Sequence, residues 1–136
     1  MTVDLVPLSI LVVDDESSVK YLSEMNFRKA ISAHQVELHF FSTAQECLEY
    51  LLRYSENARE TVVLTDINMP VMSGYELLEK IKHDYPEVNV YMMSAYDDDA
   101  SMEKSYEAGA RGYFIKPVNY RFLKQQLSDR FGVSFS

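Results

Sequence analysis

The sequence predicts an α/β domain in which helices cover both faces of a five-stranded parallel sheet. Short segments rich in β-branched and aromatic residues alternate with longer segments whose apolar residues recur every three or four positions. Several of the short segments are apolar at almost every position, as strands buried on both faces should be. The length of 136 residues suits one domain. Together these observations favour a doubly wound parallel sheet.

Five segments are predicted to form the strands. Strands 1, 3 and 4 are LSILVV at 8–13, TVVLT at 61–65 and VNVYMM at 88–93, and they are the most continuously apolar. Strand 2 is VELHFF at 36–41 and strand 5 is GYFI at 112–115. Their enrichment in Val, Ile, Phe and Tyr is typical of strands.

Five amphipathic segments are predicted to form the helices that follow these strands. Gly132 is expected to end helix 5, so that residues 1–136 form one domain whose last helix ends near 131, with no output domain visible. The residues that mark the apolar faces are Val19, Leu22, Met25 and Ala30 in helix 1, Ala44, Cys47, Leu48, Leu51 and Leu52 in helix 2, Leu77, Leu78 and Ile81 in helix 3, Met102, Tyr106 and Ala110 in helix 4, and Leu123, Leu127 and Phe131 in helix 5.

The composition restricts the partners that this chain can have. A net charge of -8 argues against nucleic acid or an anionic membrane surface as a direct partner, because both are negatively charged. The apolar run at 8–13 is far shorter than the roughly 18 residues of a membrane span. No basic segment precedes it, as a secretory signal would require. We therefore expect a cytoplasmic protein that does not contact membranes.

Polar side chains follow four of the predicted strands at the point where each strand ends. Asp14 and Asp15 follow strand 1, Asp66 follows strand 3, Ser94 follows strand 4 and Lys116 follows strand 5. Ligands of doubly wound sheets bind beyond the carboxyl ends of the central strands. We therefore expect three carboxylates, a hydroxyl and an amine to meet at one edge of the sheet.

The chemistry of this cluster follows from its charge. Carboxylates held close together raise each other's pKa unless a cation lies among them, and Mg²⁺ prefers such hard oxygen ligands. Asp15 and Asp66 are the expected direct ligands, with Asp14 acting directly or through water. Lys116 can neutralise further charge and Ser94 can donate a hydrogen bond to a developing oxyanion. Such a set suits nucleophilic attack by Asp66 on phosphorus.

The residues at the strand ends resemble a known family. The segments VVDDE, LTDINMPVMSG, MMSAY and YFIKP follow strands 1, 3, 4 and 5 in the order and spacing of the receiver domain of two-component response regulators, of the chemotaxis-Y type. The resemblance covers the whole chain, and four ordered motifs make it specific. It implies a flavodoxin-like fold with strand order 2-1-3-4-5.

The resemblance implies roles for the charged residues. Asp66 matches the phosphoacceptor, and Asp14 and Asp15 match the acidic pair that holds Mg²⁺. Asn68 matches the position whose backbone carbonyl completes the metal site. Lys116 matches the lysine that contacts the phosphoryl oxygen.

The resemblance also implies a conformational switch. Ser94 matches the hydroxyl that turns toward the phosphoryl group, and Tyr113 matches the aromatic residue that changes rotamer with it. Ala95 is expected to leave access to the phosphate open, because it is small, while Tyr96 and Asn68 stand where the family tunes phosphate lifetime. The bond between Lys116 and Pro117 is expected to be cis.

The expected function is that of a receiver module. It would take a phosphoryl group from a histidine kinase or a histidine phosphotransfer protein and switch a surface formed by helix 4, strand 5 and helix 5. That surface would engage an output domain or effector protein, or form a homodimer. The chain would not be an enzyme beyond self-catalysed phosphoryl transfer and autodephosphorylation.

Two alternatives come from other functional classes. A phosphatase with an aspartyl nucleophile, of the haloacid dehalogenase-like type, requires a second Asp two residues after the nucleophile, and Asn68 occupies that position. A pseudo-receiver would bind partners without phosphate. The complete set of Asp14, Asp15, Asp66, Ser94 and Lys116 argues against that alternative.

Overall fold

The strands form one parallel sheet with the expected order. The structure, a computed structural model, describes residues 8–54, 60–96 and 99–135. Within these residues the sheet has the order β2-β1-β3-β4-β5, which confirms the prediction. Its strands are β1 (Leu8–Val13), β2 (Val36–Phe41), β3 (Glu60–Asp66), β4 (Asn89–Ser94) and β5 (Gly112–Ile115).

Two strands end later than the sequence pattern predicts. The segments predicted at 61–65 and 88–93 are in fact β3 and β4, whose last residues are Asp66 and Ser94. Asp66 is paired with Met93, and Ser94 with Ile115. Both polar residues therefore belong to the rigid hydrogen-bonded ladder, and not to the loops that follow it.

The part of the chain that the structure describes contains five helices, four of which connect successive strands while the fifth follows β5. No helix there is long and apolar enough to span a membrane. The last helix ends at Phe131 as predicted, and Gly132 follows it with a left-handed φ of 69°. The helices are α1 (Ser17–Ser32), α2 (Ala44–Tyr54), α3 (Gly74–Asp84), α4 (Asp99–Glu107) and α5 (Tyr120–Phe131).

The sheet separates two hydrophobic cores. Alternate residues of a strand point to opposite faces, so Ile10 and Val12 of β1 join a core with residues of α1 and α5. Leu11 and Val13 join the other core, which includes residues of α2 and α3. Because both faces of β1, β3 and β4 are covered, the carboxyl ends of these central strands are held rigidly where the candidate site lies.

The predicted inward face of α1 is partly wrong. Leu22 and Met25 are 42% and 62% exposed, whereas Ser23 and Phe27 are buried together with Val19 and Ala30. Ser23 faces the core because its hydroxyl shares a buried hydrogen bond of 2.9 Å with the hydroxyl of Tyr120. The buried face of α1 therefore includes the polar residue Ser23 and leaves out Leu22 and Met25, which the sequence pattern predicted to be buried.

Smaller corrections concern α2 and α4. Leu52 is 76% exposed, because Ala44, Cys47 and Leu51 form the buried stripe of α2. Ala110 is buried but lies beyond the end of α4, and Tyr106 is 48% exposed. The only fully buried residue of α4 is Ser105, so this helix is weakly anchored to the core.

Candidate functional site

Three aspartates converge at the carboxyl ends of β1 and β3, as the sequence predicts. Asp66 is the last residue of β3 and is 5% exposed, while Asp14 follows β1 and is fully buried. The backbone N–H of Asp14 donates to the carbonyl of Phe41, which ties the turn after β1 to β2. Asp15 is exposed. One carboxylate oxygen from each aspartate lies within 4.8 Å of the others.

The amine of Lys116 lies among these carboxylates. Its Nζ is 2.6 Å from Asp14 Oδ2 and 3.5 Å from Asp66 Oδ1. The backbone N–H of Lys116 donates to the carbonyl of Ser94 at 2.8 Å, which fixes the segment after β5 against the end of β4. The peptide bond between Lys116 and Pro117 is cis, as expected. The lysine therefore reaches the aspartates from a well-anchored backbone.

The two buried carboxyl groups of the cluster, those of Asp14 and Asp66, have raised pKa values. Burial raises the pKa of Asp66 to about 6, and the neighbouring charge of Asp14 adds to the rise, while Lys116 partly offsets it. Burial also raises the pKa of Asp14. Burial alone would lower the pKa of Lys116, but its interactions with Asp14 and Asp66 raise it, so the amine stays charged. A single ammonium ion thus faces more negative charge than it can neutralise.

The oxygen atoms of this cluster fit a divalent cation. Asp14 Oδ2 is buried and has no hydrogen-bond partner among the described residues, although it forms an ion pair with the ammonium group of Lys116. Carboxylate oxygens that repel one another and lack donors are the ligands that Mg²⁺ takes in proteins. Asp14, Asp15 and Asp66 could hold such an ion. Asn68 is exposed in the loop that follows Asp66.

The loop after Asp66 is held in place by a close backbone approach. The N–H of Gly74 donates to the carbonyl of Ile67 at 2.8 Å, and Ser73 begins α3 with a capping box shared with Glu76. A Cβ atom on Gly74 would lie 2.2 Å from the carbonyl oxygen of Asp66. The sequence reasoning missed this close approach of Gly74 to Asp66, although the position of Gly74 just after a capping serine was a usable signal.

Ser94 and Tyr113 are connected through one peptide segment. The buried hydroxyl of Ser94 accepts a hydrogen bond from the backbone N–H of Tyr96 at 3.0 Å. The hydroxyl of the half-buried Tyr113 donates to the carbonyl of Tyr96, also at 3.0 Å. The side chains of Ala95 and Tyr96 are exposed. Both expected switch residues therefore form a hydrogen bond with the backbone of Tyr96, Ser94 with its N–H and Tyr113 with its carbonyl.

Glu16 is a second residue that the sequence reasoning missed. Its Oε1 lies 3.5 Å from the Nζ of Lys116, and its backbone N–H donates to Asp14 Oδ1 at 2.9 Å. The signal was the third acid in VVDDE, directly after the two aspartates. Glu16 thus contacts two members of the cluster at its solvent-facing side.

A cavity of about 290 Å³ opens beside Lys116. It lies between the start of α1 and the segments that follow β4 and β5. Most of its lining is apolar, and the half-exposed Leu22 of α1 lies on its wall. The other lining residues include Val19, Met93, Ala95, Pro117 and Val118.

Comparisons with known proteins agree with this geometry. Residues 10–128 match the family model described as the response regulator receiver domain. The chain is 30% identical over 128 residues to chemotaxis protein CheY1 of Helicobacter pylori, covering 88% of this chain and 94% of that protein. The BeF3-activated receiver domain of DrrB, a Thermotoga maritima protein, is similar with a TM-score of 0.73 and 31% identity, covering 90% of this chain and 95% of that domain.

Some relatives are much longer than this chain. The DNA-binding transcriptional regulator NtrC of Proteus hauseri is 34% identical over 111 residues, which make up 82% of this chain but 22% of NtrC. A cyclic di-GMP phosphodiesterase of Thermotoga maritima is 31% identical, and the match covers 30% of that protein. The chain therefore spans less than a third of the length of these two relatives.

Proposed function

This chain belongs to the response regulator receiver domain family, and we propose that it accepts a phosphoryl group on Asp66 from a histidine kinase or a histidine phosphotransfer protein. The observation that carries the proposal is the environment of Asp66. Its carboxylate is almost fully buried, lies 3.5 Å from the amine of Lys116 and shares a pocket with Asp14 and Asp15. A nucleophile, a cation and a set of metal-binding oxygens are the parts that phosphoryl transfer requires.

We propose that Mg²⁺ is held by Asp14, Asp15, Asp66 and the backbone carbonyl of Asn68. When bound, the ion would neutralise charge on the phosphoryl oxygens as they approach the carboxylates. The convergence of three carboxylate oxygens within 4.8 Å supports this assignment for the aspartates. The family resemblance supports it for Asn68.

The residues of the chain have distinct roles in the transfer. A carboxylate oxygen of Asp66 forms a bond to phosphorus while the P–N bond of the donor phosphohistidine breaks, and the bonding electron pair returns to the imidazole nitrogen. Lys116 donates a hydrogen bond to a phosphoryl oxygen. Attack of water on the acyl phosphate later regenerates Asp66 and releases inorganic phosphate. The module thus undergoes autodephosphorylation without turning over a separate substrate.

Phosphorylation of Asp66 would change a different surface of the protein, formed by α4, β5 and α5, to which partners bind. We propose that the Ser94 hydroxyl leaves the N–H of Tyr96 and donates to the phosphoryl group, and that Tyr113 changes rotamer as a result. The exposed side chains of Tyr106, Ile115 and Phe122 on α4, β5 and α5 supply apolar area for an output domain, an effector protein or a second copy of the chain. Nucleic acid is not a direct partner in this function, since a chain with a net charge of -8 repels it.

The phosphodonor would approach from the side of α1. Tyr21, Leu22 and Met25 are 65%, 42% and 62% exposed, and Leu22 borders the cavity beside Lys116. A cytoplasmic histidine protein that docks on these residues could bring its phosphohistidine to Asp66. Exposed apolar residues near a reactive centre are typical of such contact surfaces.

The test of this proposal is chemical labelling of Asp66. Wild type incubated with acetyl phosphate and Mg²⁺ should gain the mass of one phosphoryl group, in a form that hydroxylamine removes. Asp66→Asn should gain none, whereas Asp84→Asn, which alters an exposed acid of α3, should be labelled like wild type. Equal labelling of wild type and Asp66→Asn would refute the assignment, and a wild type that is never labelled would favour a pseudo-receiver.

A further inference from the structure

Glu16 occupies a helix-capping position without capping the helix. It is the N-cap residue of α1, with extended backbone angles, yet its side chain makes no hydrogen bond to the first turn. Serine, threonine, aspartate and asparagine are preferred at this position because they satisfy free N–H groups there. The carboxylate of Glu16 instead reaches toward Lys116, with Oε1 3.5 Å from Nζ.

Within the described residues, the ammonium group of Lys116 has as many carboxylate neighbours as it has N–H donors. An ammonium group has three N–H donors, and the carboxylate oxygens near its Nζ belong to Asp14 at 2.6 Å, Asp66 at 3.5 Å and Glu16 at 3.5 Å. A phosphoryl group on Asp66 would add oxygen acceptors that need one of these donors. The contact with Asp14 is short and buried, whereas the side chain of Glu16 is 62% exposed. The contact with Glu16 is therefore the one that we expect a phosphoryl group to replace.

We infer that Glu16 is a positioning residue that holds the Lys116 amine at the mouth of the pocket and competes with the phosphoryl group for it. This inference rests on the proposed function, because it assigns a regulator to the same site. Glu16 acts through Lys116 and does not touch the phosphoryl group. Its carboxylate stabilises the unphosphorylated arrangement of the amine and so limits the affinity of the pocket for a phosphoryl group.

Two variants distinguish the positioning of the Lys116 amine by Glu16 from a simple effect of the negative charge of Glu16. Glu16→Gln removes the negative charge and the ion pair. Glu16→Asp keeps the charge and can cap α1, but its side chain is one methylene shorter and cannot reach Lys116 from the same backbone. If positioning matters, both variants should behave alike. If only the charge at the pocket mouth matters, Glu16→Asp should behave like wild type.

The experiment measures the affinity for beryllofluoride, a phosphoryl mimic, at saturating Mg²⁺ by NMR titration. Glu16→Gln and Glu16→Asp should each bind beryllofluoride about two- to fivefold more tightly than wild type, the size expected for a partly exposed ion pair. The matched control is Glu24→Gln, which makes the same charge change on an exposed residue of α1. Separate Mg²⁺ titrations of each variant remove any contribution from altered metal affinity.

A second measurement does not depend on beryllofluoride. The side-chain ¹³Cε and ¹⁵Nζ resonances of Lys116, recorded without Mg²⁺, should shift in both Glu16 variants and remain unchanged in Glu24→Gln. Wild-type affinity in both Glu16 variants, or tighter binding in Glu16→Gln alone, would overturn the inference. Failure of wild type itself to bind beryllofluoride would instead refute the proposed function, so the two failures are distinguishable.

Discussion

The amine of Lys116 lies 0.9 Å closer to Asp14 than to Asp66, since the two distances are 2.6 Å and 3.5 Å. In the unphosphorylated protein, the closer ion-pair partner of Lys116 is therefore the fully buried carboxylate of Asp14, and not the proposed phosphoacceptor Asp66. Removing one member of a buried ion pair leaves an uncompensated charge, which destabilises the fold. Lys116 thus has a structural role in addition to the chemical role that we propose for it.

We expect Lys116→Met to lower the free energy of unfolding by about 3 kcal/mol at pH 8, because Asp14 loses its partner. Urea denaturation in the presence of EDTA measures this change. The double variant Lys116→Met/Asp14→Asn should recover most of the loss, since it contains no buried unpaired carboxylate at position 14. A double variant that merely adds the two single losses would contradict the coupling.

The stability of the Mg²⁺-free protein should depend on the ionisation of Asp66. Its folded pKa of about 6 lies above the ordinary value of 3.8, so the folded state binds more protons than the unfolded state between these values. The stability contributed by the protonated group is complete below pH 3.8 and is lost as the pH rises through about 6. The raised pKa of Asp14 acts in the same direction.

Asp66→Asn should therefore stabilise the Mg²⁺-free protein at pH 8 by about 2 to 3 kcal/mol, because it removes a carboxylate that burial keeps unfavourable. The gain should shrink towards zero near pH 4, where the wild-type carboxyl group is protonated. Urea unfolding at both pH values checks this, with Asp84→Asn as the exposed control. A variant less stable than wild type at pH 8 would show that the Asp66 carboxylate is not destabilising.

Much of the fold and the site could be predicted from the sequence. The carboxyl ends of parallel strands meet at one edge of the sheet. The residues at the strand ends were therefore enough to predict that Asp14, Asp66 and Lys116 lie close together. The exposure of the Leu22 and Met25 side chains could not be predicted in this way. They depend on a hydrogen bond between residues 97 positions apart in the sequence, which turns a serine of α1 inward.

Two close contacts at the site also could not be predicted from the sequence pattern. Gly74 matters because its Cα packs against the carbonyl of Asp66, and Glu16 matters because its carboxylate points toward Lys116 and not to its own helix. Composition and periodicity predict which face of a helix or strand is buried. They do not predict these two contacts, because each contact joins the ends of different elements. The sequence marked both residues, through the capping Ser73 and the third acid of VVDDE, but it did not indicate the atoms that they contact.

Gly74→Ala should damage both stability and phosphorylation. The new Cβ would lie 2.2 Å from the carbonyl oxygen of Asp66 and 2.8 Å from the Cα of Ile67, so the backbone at the end of β3 must move. We expect a loss of about 1 to 3 kcal/mol in urea denaturation. The rate of labelling by acetyl phosphate should fall as well, because the displaced residue, Asp66, is the proposed nucleophile.

The control for this variant is Gly132→Ala. Gly132 has a φ of 69°, and no atom of the described residues lies within 4 Å of the position that its Cβ would take, so alanine there is strained without a clash. Stability should fall by about 1 kcal/mol while labelling stays at the wild-type rate. Wild-type stability and labelling in Gly74→Ala would show that the loop after Asp66 is free to adjust.

Asp15→Ala tests the metal assignment. Asp15 is exposed, so its removal should leave the stability of the metal-free protein within about 0.5 kcal/mol of wild type. Mg²⁺ affinity should fall by about tenfold or more, because a hard oxygen ligand is lost. Calorimetric or NMR titration with Mg²⁺ measures it, and Glu24→Gln is the charge-matched control. Unchanged Mg²⁺ affinity would reassign the ligand.

The final prediction concerns the connection between Ser94 and Tyr113. The Ser94 hydroxyl accepts from the N–H of Tyr96, whose carbonyl accepts from the hydroxyl of Tyr113. A phosphoryl group that attracts Ser94 must break the first bond, and the segment that then moves carries the acceptor of the second. Because Ser105 is the one fully buried residue of α4, movement of this helix with the segment would disturb few core contacts.

Charge-assisted hydrogen bonds from Ser94 and Lys116 to the phosphoryl group contribute roughly 1.5 to 3 kcal/mol each, and each 1.4 kcal/mol shifts a two-state population about tenfold. Beryllofluoride with Mg²⁺ should therefore shift NMR resonances of Ala95, Tyr113 and α4, while resonances of Cys47 in α2 stay nearly unchanged. Ser94→Ala should still bind beryllofluoride but should show weaker shifts at Tyr113 and in α4. Shifts confined to the aspartate pocket in wild type would mean that phosphorylation is not transmitted to the surface of α4, β5 and α5.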